Sequence, residues 1–427
     1  MIRGGILITG TEVLTGIITD KNGPWLSEQM RSVGIQPAQI TIVGDRPEDL
    51  HSALEAMAAS GLDLVVTSGG LGPTADDLTA EVVGGFQKRA MVLDEPLEQQ
   101  IAEILKGLSA RWANLDMDAV RAANRKQAVV PEGSFILDPV GTAPGLVVPP
   151  AEGETGPVVV VLPGPPRELK PMWAASLQTE PLREMLENAP AFERRIVRMF
   201  GIPESELASA LTAMEDAGVS FEGLEVTTCL RRGEIEVATT FESEASSRYG
   251  LFEAAMIDRF GPLIHALDGQ TIDESVAQLL ENSSLAVGES CTGGLFTGRL
   301  TDQRGASAWL KGGVVAYSNQ AKVELLGVSP DSIEANGAVS EEVAIELAEG
   351  ARRRFGSDYG VGITGIAGPD GGTEEKPVGL VWFAAVGPDS KIVRSVVVPG
   401  GRADVRDRAT TIGLHLLRRL LIGQLDN

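Results

Sequence analysis

Short apolar runs alternate with stretches of helical spacing in the first 165 residues. The runs have the length and β-branched content of buried strands, and they lie at residues 6–9, 40–43, 62–66 and 158–162. Between them, segments such as 25–33 place their apolar residues at helical intervals. Strands that alternate with helices predict a parallel sheet covered by helices on both faces. We expect this first domain to end near residue 175.

The pattern changes between about residues 190 and 265. There it predicts a strand, a capped helix, two strands around Arg232-Gly233 and a second helix, with the strand and helices at 194–200, 203–214 and 245–260. This segment has no glycine-rich loop and no carboxylate cluster. We interpret it as a small α+β domain that connects its neighbours or forms a dimer.

The alternating pattern returns after Asp268-Gly269. It predicts helices at 272–280 and 405–421, and strands at 285–288, 313–316, 359–364, 379–386 and 392–398. The predicted fold class is therefore α/β. Two three-layer α/β domains, at 1–175 and 271–427, are joined by a small α+β domain at 190–265.

Composition limits the class of protein and the kind of ligand. The chain has 427 residues, of which 43% are hydrophobic, two cysteines and a formal net charge of -23, and every part of it carries more Asp and Glu than Lys and Arg. Nucleic-acid binding depends on Lys and Arg, so direct contact with DNA or RNA is disfavoured. No apolar run approaches the roughly 20 residues that span a bilayer, and the first residues lack signal-peptide features. We expect a cytoplasmic protein without a membrane partner.

A glycine-rich loop at residues 67–79 (TSGGLGPTADDLT) follows a predicted strand and opens a predicted helix. Its glycines satisfy the G-x-G-x-x-A pattern, which lets the backbone approach a pyrophosphate at a helix N-terminus. The loop follows the third strand, whereas in dinucleotide oxidoreductases it follows the first. We therefore expect phosphate binding and not nicotinamide redox chemistry. The substrate-binding candidates here are Gly70, Gly72, Thr74 and Thr142.

Four carboxylates follow strand ends of the same predicted sheet: Glu12, Asp45, Asp76 and Asp77. Because the carboxyl ends of parallel strands face one crevice, we expect these side chains to converge. Hard oxygen ligands beside a phosphate loop suit a Mg²⁺-like divalent ion. The alternative is that Asp76 or Asp77 only caps the first amides of the following helix.

Several motifs of this domain resemble the N-terminal domain of the CinA family, which is similar to molybdopterin-binding domains. They are the loop at 67–79, the turn at 10–12 (GTE) and the segments 124–128 (NRKQA), 141–145 (GTAPG) and 162–166 (LPGPP). The resemblance implies hydrolysis of ADP-ribose with a divalent ion, Mg²⁺-like or Co²⁺, held on Asp45 and Asp77. Cleavage of NAD-like dinucleotides at the same site is a further hypothesis of ours. One departure is Asp20-Lys21-Asn22, where the family more often has Asp-Thr-Asn.

A second loop, residues 288–294 (GESCTGG), lies between a predicted strand and a predicted helix. Ser290 at the strand end is a candidate nucleophile. The amides of Thr292, Gly293 and Gly294 are candidates for stabilising an oxyanion. The alternative is that Ser290 or Thr292 only caps the helix.

A catalytic serine needs a base, and the three histidines of the chain do not suit a triad: His51, His265 and His415. Tyr317 and Lys322 follow a predicted strand and indicate a lysine base instead. Lysine accepts a proton only when neutral, so its pKa must fall from about 10.4 towards 7 to 8, which costs about 4 kcal/mol. Burial near a helix N-terminus would lower the pKa in this way, and the Tyr317 hydroxyl is a candidate to relay or hold the proton. Otherwise Lys322 is an ordinary surface lysine.

The last region resembles the C-terminal domain of the CinA family along almost its whole length. The matching motifs are 289–294 (ESCTGG), 317–319 (YSN) with Lys322, 337–340 (GAVS), 364–369 (TGIAGP) and 376–379 (KPVG). The resemblance implies deamidation of nicotinamide mononucleotide without a metal. Ser290 would be the nucleophile and Lys322 the base. The assisting and substrate-binding residues that the resemblance implies are Tyr317, Thr364, Gly293, Gly294, Gly365 and either Arg402 or Arg406. Gly288 replaces the alanine more usual before Glu289.

The favoured hypothesis is a bifunctional hydrolase of nicotinamide mononucleotide and ADP-ribose, and the resemblance implies a homodimer. Cys291, with Glu289 and Lys322, matches the residue types of a nitrilase-like thiol amidase, although adjacent residues at a strand end point in different directions. The N-terminal domain is alternatively a pterin-binding, nucleotide-binding or transferase module without hydrolysis. A third alternative is an interaction factor linked to competence.

Overall fold

The computed structural model describes residues 2–109, 122, 125–187, 189 and 192–425. Asn124, in one of the motifs quoted above, lies outside the described residues. The chain forms two compact units, Met1–Glu193 and Arg194–Asn427. None of the helices in the described part of the chain is both long and apolar enough to cross a bilayer.

A mixed six-stranded sheet organises the first unit, in the order β2-β1-β3-β8-β7-β6. Its strands are β1 Ile2–Thr9, β2 Ile35–Val43, β3 Leu64–Ser68, β6 Phe135–Leu137, β7 Gly145–Val148 and β8 Val158–Leu162. The four strands predicted from apolar runs, β1, β2, β3 and β8, pair in parallel. The expectation of an all-parallel sheet is wrong at one edge, where β6 and β7 are antiparallel. The connection from β7 to β8 carries no helix, so β8 returns beside β7 in the opposite direction.

Apolar side chains cover both faces of this sheet. Leu7 belongs to one core cluster, whereas Ile6 and Ile8 belong to the other. This alternation is the two-residue period of a strand that is buried on both sides. The helices of the unit are Thr11–Leu14, Asn22–Ser32, Pro47–Ala59, Thr79–Phe86, Glu95–Ser109, Pro166–Ser176 and Glu180–Leu186, and a separate hairpin comprises β4 Met91–Leu93 and β5 Val129–Pro131.

A four-stranded sheet with its own core forms the α+β segment. The order is β10-β11-β9-β12, and the elements are β9 Phe192–Phe200, β10 Leu224–Arg231, β11 Glu234–Glu242, β12 Ile264–Ala266 and the helices Glu204–Asp216 and Ser246–Phe260. Val237 and Phe252 lie at the centre of its apolar cluster and are fully buried. This segment belongs to the same compact unit as the C-terminal segment.

A five-stranded sheet organises the C-terminal segment, in the order β14-β13-β15-β16-β17. The strands are β13 Leu285–Glu289, β14 Leu310–Val315, β15 Tyr359–Gly365, β16 Leu380–Val386 and β17 Lys391–Val397, and the helices are Ile272–Leu279, Leu295–Thr301, Asn319–Leu326, Pro330–Asn336, Glu341–Phe355 and Arg402–Leu421. β13, β14 and β15 are parallel, whereas β16 and β17 run antiparallel. The predicted α/β class is therefore confirmed, and three motif-bearing loops follow parallel strands at one edge of this sheet.

Candidate active sites

Ser290 and Lys322 are in contact at the carboxyl edge of the second sheet. Ser290 directly follows β13, and its amide donates a hydrogen bond to the carbonyl of Ile363 on β15 at 2.9 Å. Lys322 lies on the helix Asn319–Leu326, which is capped by the Ser318 hydroxyl. Lys322 Nζ lies 3.1 Å from Ser290 Oγ. The sequence predicted that these two side chains face one crevice, and the structure brings them together.

The surroundings of Lys322 differ from those of a surface lysine. The residue is 2% exposed, and burial lowers the pKa of its amine against a smaller opposing effect of Cys291. Its Nζ donates to the carbonyls of Ala316 and Tyr317 at 3.0 and 3.3 Å. A neutral amine has two N–H groups and one lone pair. With both N–H groups on carbonyls, the lone pair is left to accept the proton of the Ser290 hydroxyl.

Glu289 occupies the N-terminus of the helix Leu295–Thr301. Its carboxylate is fully buried and accepts hydrogen bonds from the amides of Gly294, Phe296 and Thr297 at 2.9, 3.1 and 2.8 Å, and from the Thr297 hydroxyl at 2.6 Å. The alternative that Ser290 or Thr292 only caps this helix is therefore wrong, since the N-cap residue is Gly294. Sequence reasoning missed this role of Glu289, although a carboxylate a few residues before a helix is a signal for it.

The amides around the nucleophile are arranged differently from the prediction. The Gly294 amide donates to Glu289, and the Gly293 amide donates to the Ser290 carbonyl at 3.1 Å. Neither is directed to a ligand. The amides of Cys291 and Thr292, by contrast, donate to no backbone carbonyl of the described residues, and they act on the Cys291 sulfur, a weak acceptor. Donors of this kind beside a nucleophile are suited to an oxyanion.

The predicted assisting residues lie around this pair but do not all contact it. The Thr364 hydroxyl donates to the Ala338 carbonyl at 2.7 Å, within another matching motif. Tyr317 is 60% exposed, and its hydroxyl accepts from Arg402 at 2.9 Å. The expectation that this hydroxyl relays a proton for Lys322 is not met, because the group in contact with Lys322 is the backbone carbonyl of Tyr317. Gly365 ends β15 next to Thr364.

The two candidate arginines have different partners. Arg406 Nε and Nη2 donate to the carbonyls of Cys291 and Thr292 at 3.1 and 3.0 Å, so this side chain supports the nucleophile loop. Arg402 is exposed and donates to the Gly368 carbonyl at 2.8 Å and to the Tyr317 hydroxyl. Arg402 is therefore the better placed of the two to meet a ligand from solvent.

Cys291 has the properties of an inert thiol. It is buried, and burial raises the pKa of its Sγ to about 12. The nucleophilic form of cysteine is the thiolate, and an environment that raises the pKa opposes its formation. In addition, the Glu289 carboxylate accepts hydrogen bonds from helix amides and is therefore not placed to act as a base for the thiol. This geometry favours the hydroxyl of Ser290 over the thiol.

A cavity of about 750 Å³ opens at the carboxyl edge of the first sheet. Its lining includes all four predicted carboxylates, the loop glycines, and Thr142: Glu12, Asp45, Asp76, Asp77, Gly70, Gly72 and Thr142. The prediction that these groups face one crevice is met. No three of the carboxylates in the described part of this cavity bring their oxygens within 4.8 Å of one another, so they do not form a closed cage for an ion.

The carboxylates of the glycine loop are fixed by Thr74. Asp77 Oδ2 accepts from the Thr74 amide at 2.9 Å and from its hydroxyl at 2.5 Å, and Asp76 Oδ1 also lies 2.5 Å from that hydroxyl. The hydrogen bond from Thr74 lowers the pKa of Asp76. The helix Thr79–Phe86 receives no side-chain cap. The capping interpretation of Asp76 and Asp77 is therefore wrong, and Thr74, predicted to bind substrate, instead contacts these carboxylates.

Two further contacts shape the cavity, and neither was predicted from the sequence. Asp45 Oδ2 accepts from the amide and hydroxyl of Thr11 at 2.9 and 2.7 Å, which fixes the carboxylate. Asn22 Nδ2 donates to Ser68 Oγ at 2.9 Å and to the Gly164 carbonyl at 2.7 Å, and so joins the ends of β3 and β8. The turn that departs from the family pattern thus keeps its asparagine in a structural contact.

The fold and these sites define an α/β protein of two units, with a carboxylate-lined cavity in the first and a buried serine–lysine pair in the second. The family model described as "CinA C-terminal domain" matches residues 269–421. The model described as "Probable molybdopterin binding domain" matches residues 5–183.

Relatives that match almost the whole chain are named CinA-like proteins. The chain is 53% identical to a CinA-like protein of Mycobacterium sp. (strain MCS), over 98% of this chain and 99% of that protein. It is 52% identical to a CinA-like protein of Mycobacterium tuberculosis, over 99% and 98%. A solved structure of the competence/damage inducible protein CihA from Agrobacterium tumefaciens is 35% identical and covers 36% of this chain and 98% of its own, with a TM-score of 0.34. The chain belongs to the CinA family.

Proposed function

We propose that the second unit is an amidohydrolase that converts nicotinamide mononucleotide to nicotinate mononucleotide and ammonia. The observation that carries this proposal is the 3.1 Å contact between the buried Lys322 amine and the Ser290 hydroxyl, with two carbonyls on the amine. A serine with an adjacent uncharged amine is an activated nucleophile for acyl transfer. No histidine takes part.

The reaction proceeds in two acyl-transfer steps. Lys322 Nζ takes the proton of Ser290 as Oγ bonds to the carboxamide carbon. The negative charge on the carbonyl oxygen is stabilised by the amides of Cys291 and Thr292, which have only the Cys291 sulfur as an acceptor before the substrate binds. The C–N bond then breaks, and the proton on Lys322 passes to the leaving nitrogen, which departs as ammonia. Water attacks the resulting ester with Lys322 again as base, and nicotinate mononucleotide leaves.

Arg402 is the proposed ligand for the phosphate of the mononucleotide. Its guanidinium is exposed and already lies against the Gly368 carbonyl and the Tyr317 hydroxyl. A planar guanidinium with free N–H groups suits a phosphate. Arg406 instead holds the carbonyls of the nucleophile loop, so its contribution is to loop geometry.

The amidase proposal is tested by product analysis of the full-length protein. Wild type is expected to release nicotinate mononucleotide and ammonia from nicotinamide mononucleotide, and to act poorly on nicotinamide riboside, which lacks the phosphate. Arg402→Gln is expected to remove most of the preference for the phosphorylated substrate. Absence of ammonia release from the mononucleotide under all buffers tried would overturn the proposal.

For the first unit, we propose a metal-dependent pyrophosphatase that cleaves ADP-ribose, and NAD-like dinucleotides, to mononucleotides. Support comes from the cavity of about 750 Å³, lined by backbone of the glycine loop and by Asp45, Asp76, Asp77 and Glu12. Mg²⁺ is commonly held by one or two carboxylates together with substrate phosphates, a pattern that these spaced carboxylates fit. When bound there, a divalent ion would polarise the phosphoryl group. Asp45 and Asp77 would hold it.

A nucleotide-binding module without hydrolysis is the second candidate for this unit. The spacing of the carboxylates favours it, because no three of those described approach closely enough to hold an ion by themselves. The two candidates are separated by incubating the protein with ADP-ribose and Mg²⁺ or Co²⁺. Release of AMP and ribose 5-phosphate supports the hydrolase, whereas tight binding of intact ADP-ribose supports the binding module.

A further inference from the structure

A buried cluster of one glutamate and two histidines lies in the second unit, and the proposed reactions do not use it. Glu234 begins β11, His265 lies on β12, and His415 lies on the helix Arg402–Leu421. Glu234 Oε1 lies 2.9 Å from His265 Nε2 and 2.8 Å from His415 Nε2. The three atoms all lie within 4.8 Å of one another. Three segments far apart in the chain thus bring nitrogen and oxygen donors to one point.

The side chain of His265 has no hydrogen-bond partner despite its burial. It is 3% exposed, and among the described residues neither ring nitrogen forms a hydrogen bond. Its Nε2 is close to Glu234 Oε1, but the direction of approach is not that of a hydrogen bond. His415 Nε2, by contrast, shares a hydrogen bond with Glu234 Oε1, so His265 is the member of the cluster whose ring nitrogens are left for a further partner. Without an ion, an orphaned buried imidazole costs stability.

His415 is held in place by contacts with two neighbours. Its Nε2 shares a hydrogen bond with Glu234 Oε1 at 2.8 Å. His415 is further fixed by stacking on Phe200, with ring centroids 3.8 Å apart.

We propose that Glu234, His265 and His415 form a binding site for a divalent transition-metal ion of the zinc type. Two imidazoles and one carboxylate suit Zn²⁺, Fe²⁺ or Ni²⁺, and do not suit Mg²⁺ or Ca²⁺. These ligands differ from the candidate metal ligands of the first unit, which are all carboxylates. An ion bound here would connect β11 and β12 of the α+β segment to the helix Arg402–Leu421.

Two members of the cluster line a cavity. His265 and His415 line a space of about 610 Å³, together with Arg394 and Arg418. Arg418 Nη2 donates to the His265 carbonyl at 3.2 Å and helps to position β12. Three protein ligands with an open position hold water or an exogenous ligand at the fourth.

The test is a Zn²⁺ titration of the metal-free full-length chain against a chromophoric chelator. We expect one tight equivalent in wild type, at least about ten-fold weaker binding in His265→Gln and in Glu234→Gln, and unchanged binding in His51→Gln, which alters an exposed histidine. Asp45→Asn, in the first unit, is expected to leave this equivalent intact. Zn²⁺ should also raise the melting temperature of wild type and not of His265→Gln.

A second measurement uses only the wild-type protein and so does not depend on the folding of the variants. In a wild-type crystal grown with Zn²⁺, an anomalous peak is expected about 2.0 to 2.2 Å from each of the three ligand atoms. Either no tight equivalent in wild type, or equal affinity in His265→Gln, or a peak only at the carboxylates of the first unit, overturns the proposal.

Discussion

The two candidate sites occupy equivalent edges of two α/β sheets but differ in how complete they are. In the second unit, Lys322 and Ser290 are buried, lie at the ends of regular elements and already touch. In the first unit, carboxylates such as Asp45 and Asp77 are spaced around a cavity and fixed individually by Thr11 and Thr74. In the second site the candidate reacting groups are already in contact. In the first site a bound ligand or ion would be needed to bridge the separate carboxylates.

Burial accounts for this difference. A buried ammonium is costly, so the protein lowers its pKa and gains a base. The carboxylates of the first unit are half-buried or exposed, and water screens their interactions with neighbouring groups. This difference in burial is the reason why we propose amine-based acyl transfer for the second unit, and metal-assisted hydrolysis or nucleotide binding for the first.

The largest expected effect is a loss of ammonia release that leaves the activity of the first unit unchanged. Ser290→Ala should lower ammonia release from nicotinamide mononucleotide by about 10⁴-fold or more, because the acyl acceptor is lost. Cys291→Ala serves as the matched control at the next residue and should retain most activity. ADP-ribose turnover or binding by the first unit should be unchanged in both. Loss of ammonia release in Cys291→Ala with retention in Ser290→Ala would assign the role to the thiol.

The next effect concerns the base. Lys322→Met should reduce ammonia release by about 10²- to 10⁴-fold, the usual contribution of a general base. The protein should remain folded, since replacing a buried amine by a thioether of similar length removes a desolvation cost. Lys311→Met, at an exposed position, is the control. A melting temperature well below that of wild type would show that the amine is structural instead.

A smaller effect is expected at the first site. Asp45→Asn should lower AMP release from ADP-ribose by about ten- to a hundred-fold, because the amide is a weaker ligand for a cation. Ammonia release by the second unit should not change. The binding-module alternative predicts instead that no AMP is formed by wild type and that the variant only alters ADP-ribose affinity.

The helix cap beneath the nucleophile should contribute measurable stability. Glu289→Gln replaces a buried carboxylate that accepts four hydrogen bonds. We expect a loss of about 2 kcal/mol in the free energy of unfolding of the second unit. Urea denaturation measures this, with the exposed Glu324→Gln as control. An unchanged midpoint would mean that the cap contributes little.

The smallest effect is expected at Tyr317. Because its hydroxyl contacts Arg402 and not Lys322, Tyr317→Phe should change kcat for ammonia release less than about three-fold, within the range of one neutral hydrogen bond. Any effect should fall on KM through Arg402. A fall in kcat comparable with that of Lys322→Met would restore the proton-relay role expected from the sequence.

Much of the fold followed from sequence because it depends on local pattern. Apolar runs located the four parallel strands of the first sheet, and strand-to-loop motifs located both candidate sites. The antiparallel edge of the first sheet was missed, since β6 and β7 are only three and four residues long. Short strands leave too little periodicity to be recognised.

Side-chain partners were less predictable than positions. Three contacts could not be predicted from the sequence: the hydrogen bonds of the helix amides to Glu289, those of Thr74 to two aspartates, and that of Arg402 to the Tyr317 hydroxyl. These choices depend on which groups tertiary packing brings within hydrogen-bond distance. For the same reason the cluster of Glu234, His265 and His415 was not foreseen, because its members come from three separated segments.

The most direct test of the account is the pH dependence of kcat/KM for ammonia release from nicotinamide mononucleotide by the full-length protein. Burial lowers the pKa of Lys322 below the ordinary value of 10.5, so the neutral amine forms as pH rises through that lowered pKa. The rate should increase about ten-fold per pH unit below it and level off above it, well before pH 10.5. A rate that falls with rising pH, or that levels off only near 10.5, would contradict a neutral lysine base.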